Sequence, residues 1–227
     1  MTPMIMNPFR FASTSSAGAD DYDSMYESRS DLTTIQKQHF VEWFSGSALD
    51  SIWTATPNGA STQVMDDAVD GGYLMTCGTS ASDNIRIDFN NVNQYSKTAS
   101  VMIFVMKITD QAGQGNNLTG WSNVASVASN NNVSHLGHDR FTTNYNLITR
   151  GTGSATTTNS SVPVDTAWHT HKIENAGTDV VLYVDGVSEA TNTTNLSTAD
   201  FQPSFGIQSD ATDTPTMSIR YLECYNT

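Results

Sequence analysis

The stretch 168–187, WHTHKIENAGTDVVLYVDGV, constrains the fold of this chain more than any other segment. It predicts two strands joined by a tight turn, followed by a second turn at Asp185-Gly186. The apolar residues over 181–184 run directly into that Asp-Gly pair, which is a strong signal for an antiparallel hairpin. We therefore expect a fold built from antiparallel sheets.

The rest of the sequence agrees with an all-β chain. Only 15% of the 227 residues are charged, and Ser, Thr, Asn, Gly and Asp fill the polar positions, as in proteins made of strands and turns. Apolar segments recur between turn signals from Phe40 onward, which predicts a two-sheet antiparallel sandwich over 39–227. Residues 1–38 are predicted to be an irregular N-terminal arm, with a short helix starting at Asp31 as the one regular element.

The net charge limits the partners that this chain can have. Ten Lys and Arg against 23 Asp and Glu give a net charge of −13. Such a field repels phosphate backbones, which argues against nucleic-acid binding. No apolar run has the length of a signal peptide or a membrane span, so we expect no membrane insertion.

Four phrases carry a resemblance to a known fold family. They are EWFSGSALDSIWT at 42–54, WHTHKIE, LYVDG and the closing IRYLE. In this order they resemble concanavalin A-like lectins and glucanases and laminin-G-like domains, which are jelly rolls. Sequences of this style are also similar to lectin-like domains of phage and virus fibre, tail and head-decoration proteins, whose N-terminal arms attach them to the particle.

The resemblance implies a non-enzymatic virion structural protein: a capsid decoration, fibre or tail component on the virion surface, made in the host cytoplasm. Apolar residues of the arm are expected to dock it on other virion proteins and to support a homo-oligomer. These docking residues are Met4, Ile5, Met6, Phe9 and Phe11.

The alternative function is a carbohydrate-binding module or lectin that recognises host surface glycans. Aromatic faces stack on sugar rings while amides bind hydroxyls, and Trp121, Asn144 and Tyr145 lie in loop-rich sequence suited to this. A core position is the competing interpretation for Trp121. The other three tryptophans fall in strand-like phrases and are expected in the core: Trp43, Trp53 and Trp168.

Glycoside hydrolysis is a disfavoured third function, and no catalytic residue is predicted. Glucanases of this fold carry two glutamates on one strand in a pattern of the ExDxxE kind, which this sequence lacks. Its segment NIRIDFN offers Asp88, and Arg86 on the same face is expected to hold that carboxylate ionised as an ion pair. The glutamates are isolated from one another: Glu27, Glu42, Glu174, Glu189 and Glu223.

No metal or cofactor is predicted. Loop carboxylates that could bind Ca²⁺ are the alternative, and they match no regular calcium-binding spacing. These carboxylates are Asp66, Asp67 and Asp70.

The sequence contains two pairs of closely spaced histidines. His169 and His171 project from one strand face at a spacing that a metal can use. Ile173 continues that face, so we expect core histidines held by hydrogen bonds. His135 and His138 are assigned to a separate loop.

The chain has two cysteines, Cys77 and Cys224, both in strand-like segments. Buried free thiols are the first expectation for a chain made in a reducing compartment. A bridge is the alternative, because the first and last strands of jelly rolls of this type often lie side by side.

Overall fold

The computed structural model describes residues 39–65, 71–110, 114–126, 134–139, 143–151, 153–210 and 214–227. These residues form strands and connecting turns. The strands are β1 (Phe40–Glu42), β2 (Thr54–Asn58), β3 (Thr62–Met65), β4 (Tyr73–Thr76), β5 (Asn84–Asp88), β6 (Ser100–Asp110), β7 (Gln114–Ser122), β8 (His135–Asp139), β9 (Asn144–Arg150), β10 (Ala155–Pro163), β11 (His169–Asn175), β12 (Val180–Val184), β13 (Val187–Asn192), β14 (Gln202–Ser209) and β15 (Thr216–Asn226).

The strands form two antiparallel sheets, as the sequence predicts. Sheet A has the order β13-β12-β11-β6-β15-β4-β3, and β1 pairs with β15 beside β4. Sheet B has the order β10-β9-β8-β7-β14-β5-β2. The two sheets pack as a jelly-roll sandwich, which confirms the predicted fold class.

Several sequence predictions fall on parts of the chain outside the described residues. The N-terminal arm over 1–38, its short helix and the proposed boundary at residue 39 remain predictions. The same holds for the apolar docking residues and the calcium candidates, which are Met4, Ile5, Met6, Phe9, Phe11, Asp66, Asp67 and Asp70. No helix of the length and hydropathy that a membrane span requires occurs within the described ranges.

The hairpin predicted from 168–187 is present as β11, β12 and β13. Strand β11 pairs with β12, and β12 then pairs with β13 across the turn at Asp185-Gly186. Both turn residues have positive φ, 50° and 82°. A two-residue turn of this kind matches the twist of the flanking strands, and glycine adopts such a φ without a steric penalty.

A long pairing between β6 and β15 joins the middle of the chain to its end at the centre of sheet A. Arg220 is an extra residue in β15, because Ile219 pairs with Met106 and Tyr221 pairs with Val105. This bulge switches the inward-facing positions of β15 from odd to even numbers. The strand thereby keeps apolar residues on the core side along its whole length.

Apolar side chains from both sheets fill the space between them. Sheet A contributes Phe104 and sheet B contributes Phe205, whose ring centroids lie 5.4 Å apart with an edge-to-face orientation. Trp53 packs on the same cluster. The two cysteines, Cys77 and Cys224, belong to this core as free thiols, which is the first of the two alternatives that the sequence left open.

Replacing Phe205 with alanine should lower the free energy of unfolding by about 3–5 kcal/mol, because the substitution leaves a cavity between the sheets. Urea unfolding followed by tryptophan fluorescence measures this value. Val187→Ala is the matched control, since Val187 is 59% exposed and should change stability by less than about 0.5 kcal/mol. A Phe205→Ala protein as stable as the control would contradict the assigned core.

Candidate functional site

The outer side of sheet B carries polar side chains, although its inner side is apolar. On β5, Ile85 and Ile87 enter the core, so Arg86 and Asp88 face outward. The same alternation turns one set of side chains outward on the neighbouring strands. We define the polar face by these outward-facing residues: Arg86, Asp88, Ser122, His135, Asp139, Gln202 and Ser204.

The strand register arranges the polar face in three rows that cross β8, β7, β14 and β5. The first row is His135, Ser122 and Gln202. The middle row is Gly137, Gly120, Ser204 and Asp88. The third row is Asp139, Leu118, Gly206 and Arg86.

Two paired glycines form the centre of the middle row. Gly120 and Gly137 have φ values of 137° and 156°, which favour glycine. A Cβ at Gly137 would lie 2.2 Å from the carbonyl oxygen of Thr119, and one at Gly120 would lie 2.5 Å from that of Leu136. The backbone therefore excludes side chains here, and glycine within a strand lets a ligand approach the backbone closely.

Two buried polar atoms beside these glycines lack a hydrogen-bond partner among the described residues. They are the Nε2 of Gln202 and the Oγ of Ser204. The Oε1 of Gln202 accepts a hydrogen bond from the Asn91 amide at 2.9 Å, which fixes the side chain. Buried polar groups are nearly always paired. Both side chains are 0% exposed, so a ligand would have to open the cover of the face before its hydroxyl groups could pair with these atoms.

Asp88 is held in place by its neighbours. The Nε of Arg86 donates to its Oδ2 at 3.0 Å, and the amide of Asn90 donates to its Oδ1 at 2.7 Å. Burial raises the pKa of Asp88, and these two contacts oppose that effect without cancelling it. The expected ion pair is confirmed, but burial outweighs the expected stabilisation of the carboxylate by Arg86.

Asp139 is the second carboxylate of the polar face. It lies at the end of β8 and is half-buried, and its backbone pairs with the side chain of Asn146 at 3.0 and 2.6 Å. Asp139 and Asp88 are three strands apart, or about 14 Å at the usual strand spacing. This separation exceeds that of the two carboxylates in retaining or inverting glycosidases.

The two-glutamate pattern of the glucanases is not formed by the described part of sheet B. All four glutamates that the structure describes lie on strands of sheet A: Glu42, Glu174, Glu189 and Glu223. This arrangement agrees with the missing ExDxxE pattern. Within the described residues, the carboxylates of the polar face are those of Asp88 and Asp139.

Two histidines lie inside the sandwich, as expected for His171. The Nδ1 of His138 donates to the carbonyl oxygen of Asn146, so its Nε2 accepts from the Nδ1 of His171 at 3.2 Å. Burial lowers the pKa of both rings, to about 3 for His138 and well below the usual value for His171. Both are therefore neutral structural residues at pH 7.

The assignment of His135 and His138 to a loop is wrong, because both belong to strand β8. The polar segment 135–139 gives little strand signal, although alternation puts His138 inside and His135 outside. In the described parts of the chain, no group of three His, Cys, Asp or Glu side chains is arranged to hold a metal ion.

The predicted glycan-stacking residues Trp121 and Tyr145 lie in the core. Both rings are 0% exposed, which leaves no face for a sugar. Trp121 packs on Tyr95 at 4.8 Å, and Tyr145 packs on His171 at 4.6 Å. Asn144 is half-buried and donates from its Nδ2 to the carbonyl oxygen of Ser160 at 2.8 Å.

The core prediction for the other tryptophans is correct for Trp53 alone. Trp43 is 51% exposed, because it follows β1 at the edge of β15 and packs on Tyr221 at the sheet surface. Trp168 is half-buried and lies under two cationic side chains. The sequence indicates strand-like segments around these tryptophans. The side of the sheet on which each ring lies depends on the pairing with the neighbouring strand.

His169 connects a loop to the hairpin at the rim of the sandwich. Its Nδ1 contacts Asp185 at 2.6 Å and its Nε2 contacts Asp165 at 3.1 Å. Burial lowers the pKa of His169, but the hydrogen bonds to Asp185 and Asp165 outweigh it, so that the pKa is raised overall. The protonated ring can donate to both carboxylates at once, whereas the neutral ring can donate to one.

Comparison with known proteins identifies the fold. No protein-family model matches the chain, and no match was found among curated proteins. Apo Crh5 transglycosylase is a similar solved structure, with a TM-score of 0.63 and 16% identity over 85% of this chain and 86% of that one. A Bacillus licheniformis β-glucanase has a TM-score of 0.60 and 13% identity over 83% and 98% of the two chains.

A protein of unknown function from Shewanella oneidensis is also similar, with a TM-score of 0.62 and 16% identity over 91% of this chain and 93% of that one. At these identities the similarity establishes a shared fold. The chain therefore shares the two-sheet jelly-roll fold of these structures.

The comparisons correct the expected function. A non-enzymatic virion structural protein was expected, but the similar structures with a described activity are glucanases and transglycosylases. None of these neighbours indicates a virion role. The resemblance was right about the fold and wrong in the step from the fold and arm to a virus particle.

His169→Gln should lower the free energy of unfolding more at about pH 5.5 than at about pH 8.5, because the wild-type ring loses its proton as the pH rises through its folded pKa. A raised pKa stabilises the folded protein below the pKa of the unfolded state, about 6.5, and this stabilisation disappears as the pH rises through the folded pKa. Because Asp165 and Asp185 are half-exposed, solvent screening limits the difference to about 0.5–1 kcal/mol.

Urea unfolding of both proteins at the two pH values measures this difference, and comparison with wild type cancels the titration of the buried histidines. His39→Gln is the control, because His39 contacts one carboxylate, that of Glu223, and does not bridge two as His169 does. An equal loss for His169→Gln at both pH values would contradict the charged bridge.

Proposed function

We propose that this chain is a carbohydrate-active enzyme that binds a glycan on the polar face of sheet B and cleaves or transfers a glycosidic bond. The observation that carries the proposal is the pair of unpartnered polar atoms, Gln202 Nε2 and Ser204 Oγ, beside the two central glycines. The activities named for proteins of the same fold, β-glucanase and transglycosylase, support a polymeric sugar substrate.

A neutral sugar chain suits this surface. Its hydroxyls would pair with Ser204 and Gln202, and its ring would lie above Gly120 and Gly137, which carry no side chain of their own. The floor of the face is buried, while Arg86 and Asp139 at its rim are half-buried. The substrate would therefore reach the face from the rim and be held by buried polar groups.

Asp139 is the carboxylate that we assign to the chemical step. Asp88 is 1% exposed, whereas Asp139 is half-buried at the rim of the face. Its protonated carboxyl would donate to the leaving glycosidic oxygen as the bond from that oxygen to the anomeric carbon breaks. A water or a hydroxyl of a second sugar then bonds to the anomeric carbon and gives its proton to the Asp139 carboxylate, which restores the carboxyl group.

Asp139→Asn should reduce glycan cleavage or transfer by on the order of 100-fold, because the amide cannot donate the required proton at neutral pH. Reducing-end assays and mass spectrometry of products from β-1,3-glucan, mixed-linkage β-glucan and chitin oligosaccharides measure both reactions. Asp179→Asn is the matched control, since Asp179 lies in the β11–β12 turn, away from the polar face.

Wild-type protein that binds these glycans without producing or transferring any fragment would overturn the enzymatic proposal. Full activity in Asp139→Asn would overturn the role of this carboxylate.

Ser204→Ala should weaken glycan binding about fivefold, the value of one net hydrogen bond, without destabilising the free protein. The reason is that the hydroxyl is buried and has no partner in the described structure until a ligand supplies one. Calorimetric titration and urea unfolding of the same variant give the two values. A variant that is less stable yet binds as well as wild type would show that Ser204 is structural.

A further inference from the structure

A second surface, on the outer side of sheet A, combines exposed aromatic rings with cations. Trp43 is 51% exposed and lies 4.6 Å from the ring of Tyr221. Arg220 directly precedes Tyr221, and its guanidinium lies 4.7 Å from the ring centroid of Trp168. The Nζ of Lys107 lies 4.7 Å from the same centroid. We call these five residues the aromatic-cation band.

The register makes the band continuous. Trp43 lies at the edge of β15 where Tyr221 emerges, and Lys107 pairs with Ser218 on the other side of that strand. Trp168 immediately precedes β11, whose first residue pairs with Met106. The band thus crosses from β1 over β15 and β6 to β11, a span of about 14 Å, which suits a chain of several sugars.

The band carries two positive charges in an acidic protein. The chain carries a net charge of −13, yet neither Lys107 nor Arg220 forms an ion pair with a carboxylate of the described residues. Both cations share one indole ring, so they also repel each other. An anionic group that contacts both cations would gain two attractive contacts and relieve that repulsion.

The neighbouring acidic groups are already occupied. Glu223 accepts hydrogen bonds from the hydroxyl of Tyr221 and from His39. Asp165 and Asp185 are bound to His169. The carboxylate that Lys107 and Arg220 lack must therefore come from outside the described structure.

We propose that the aromatic-cation band binds a glycan whose neutral sugar rings carry an isolated carboxylate or sulfate. The apolar faces of the sugars would stack on Trp43 and Tyr221, and the acidic substituent would pair with Lys107 and Arg220. Sparse substitution is required, because the overall negative charge repels densely charged polymers such as nucleic acids. The site is on the opposite sheet from the polar face and is independent of the proposed enzyme activity.

Calorimetric titration of the full chain tests this site with two matched pairs of ligands. In the first pair, the acidic ligand is a xylo-oligosaccharide bearing one glucuronate, and the neutral ligand is its carboxyl-reduced form. In the second pair, the acidic ligand is a β-glucan oligosaccharide bearing one sulfate, and the neutral ligand is its unsulfated form. At least one acidic ligand should bind about tenfold more tightly than its neutral counterpart, as expected for a charge-assisted pair. Added salt should reduce that preference.

Arg220→Gln and Lys107→Gln should each remove the preference for the acidic ligand, whereas Lys97→Gln, an exposed lysine elsewhere, should retain it. Trp43→Ala should weaken acidic and neutral ligands alike, and its exposure allows the variant to fold, which a thermal melt checks. Ser204→Ala should leave the preference for the acidic ligand over its neutral counterpart unchanged, which separates this site from the polar face.

Any of three results would overturn the proposal: no binding of either acidic ligand, a preference that survives both charge variants, or tighter binding of a DNA oligonucleotide than of the acidic glycans.

Discussion

The pairing of β6 with β15 is the interaction on which the rest of the structure depends. It places Ser100–Asp110 against Thr216–Asn226, so the last strand of the chain lies at the centre of sheet A. Met102 and Phe104 on one strand and Leu222 on the other enter the core from this pair. Because the pairing is distant in sequence, the loop-closure entropy must be offset by burial of these side chains.

The period of two along each strand then determines both candidate surfaces. Alternation that turns Phe205 into the core turns Ser204 outward on sheet B. On sheet A the bulge at Arg220 changes that alternation and brings a cation beside Tyr221. A polar sugar-binding face and an aromatic-cation band therefore arise on opposite sides of one apolar core.

The sequence predicted the sheets better than the surfaces. The 168–187 hairpin follows from local signals, since its apolar run and Asp-Gly turn are contiguous in the chain. Asp139 and Ser204 come together only through the strand order β8-β7-β14, which no local pattern reveals. For the same reason Trp43 was predicted in the core but lies on the surface, and the two interpretations of Trp121 stayed open until the structure placed it in the core.

A crystal structure of Asp139→Asn with a β-glucan oligosaccharide would show directly whether sheet B holds the substrate on its polar face. We expect sugar density above Gly120 and Gly137. Sugar hydroxyls should bond to Ser204 Oγ and Gln202 Nε2, and a glycosidic oxygen should lie beside residue 139. An oligosaccharide bound elsewhere, with no sugar hydroxyl bonded to these two polar atoms, would contradict a substrate site on the polar face.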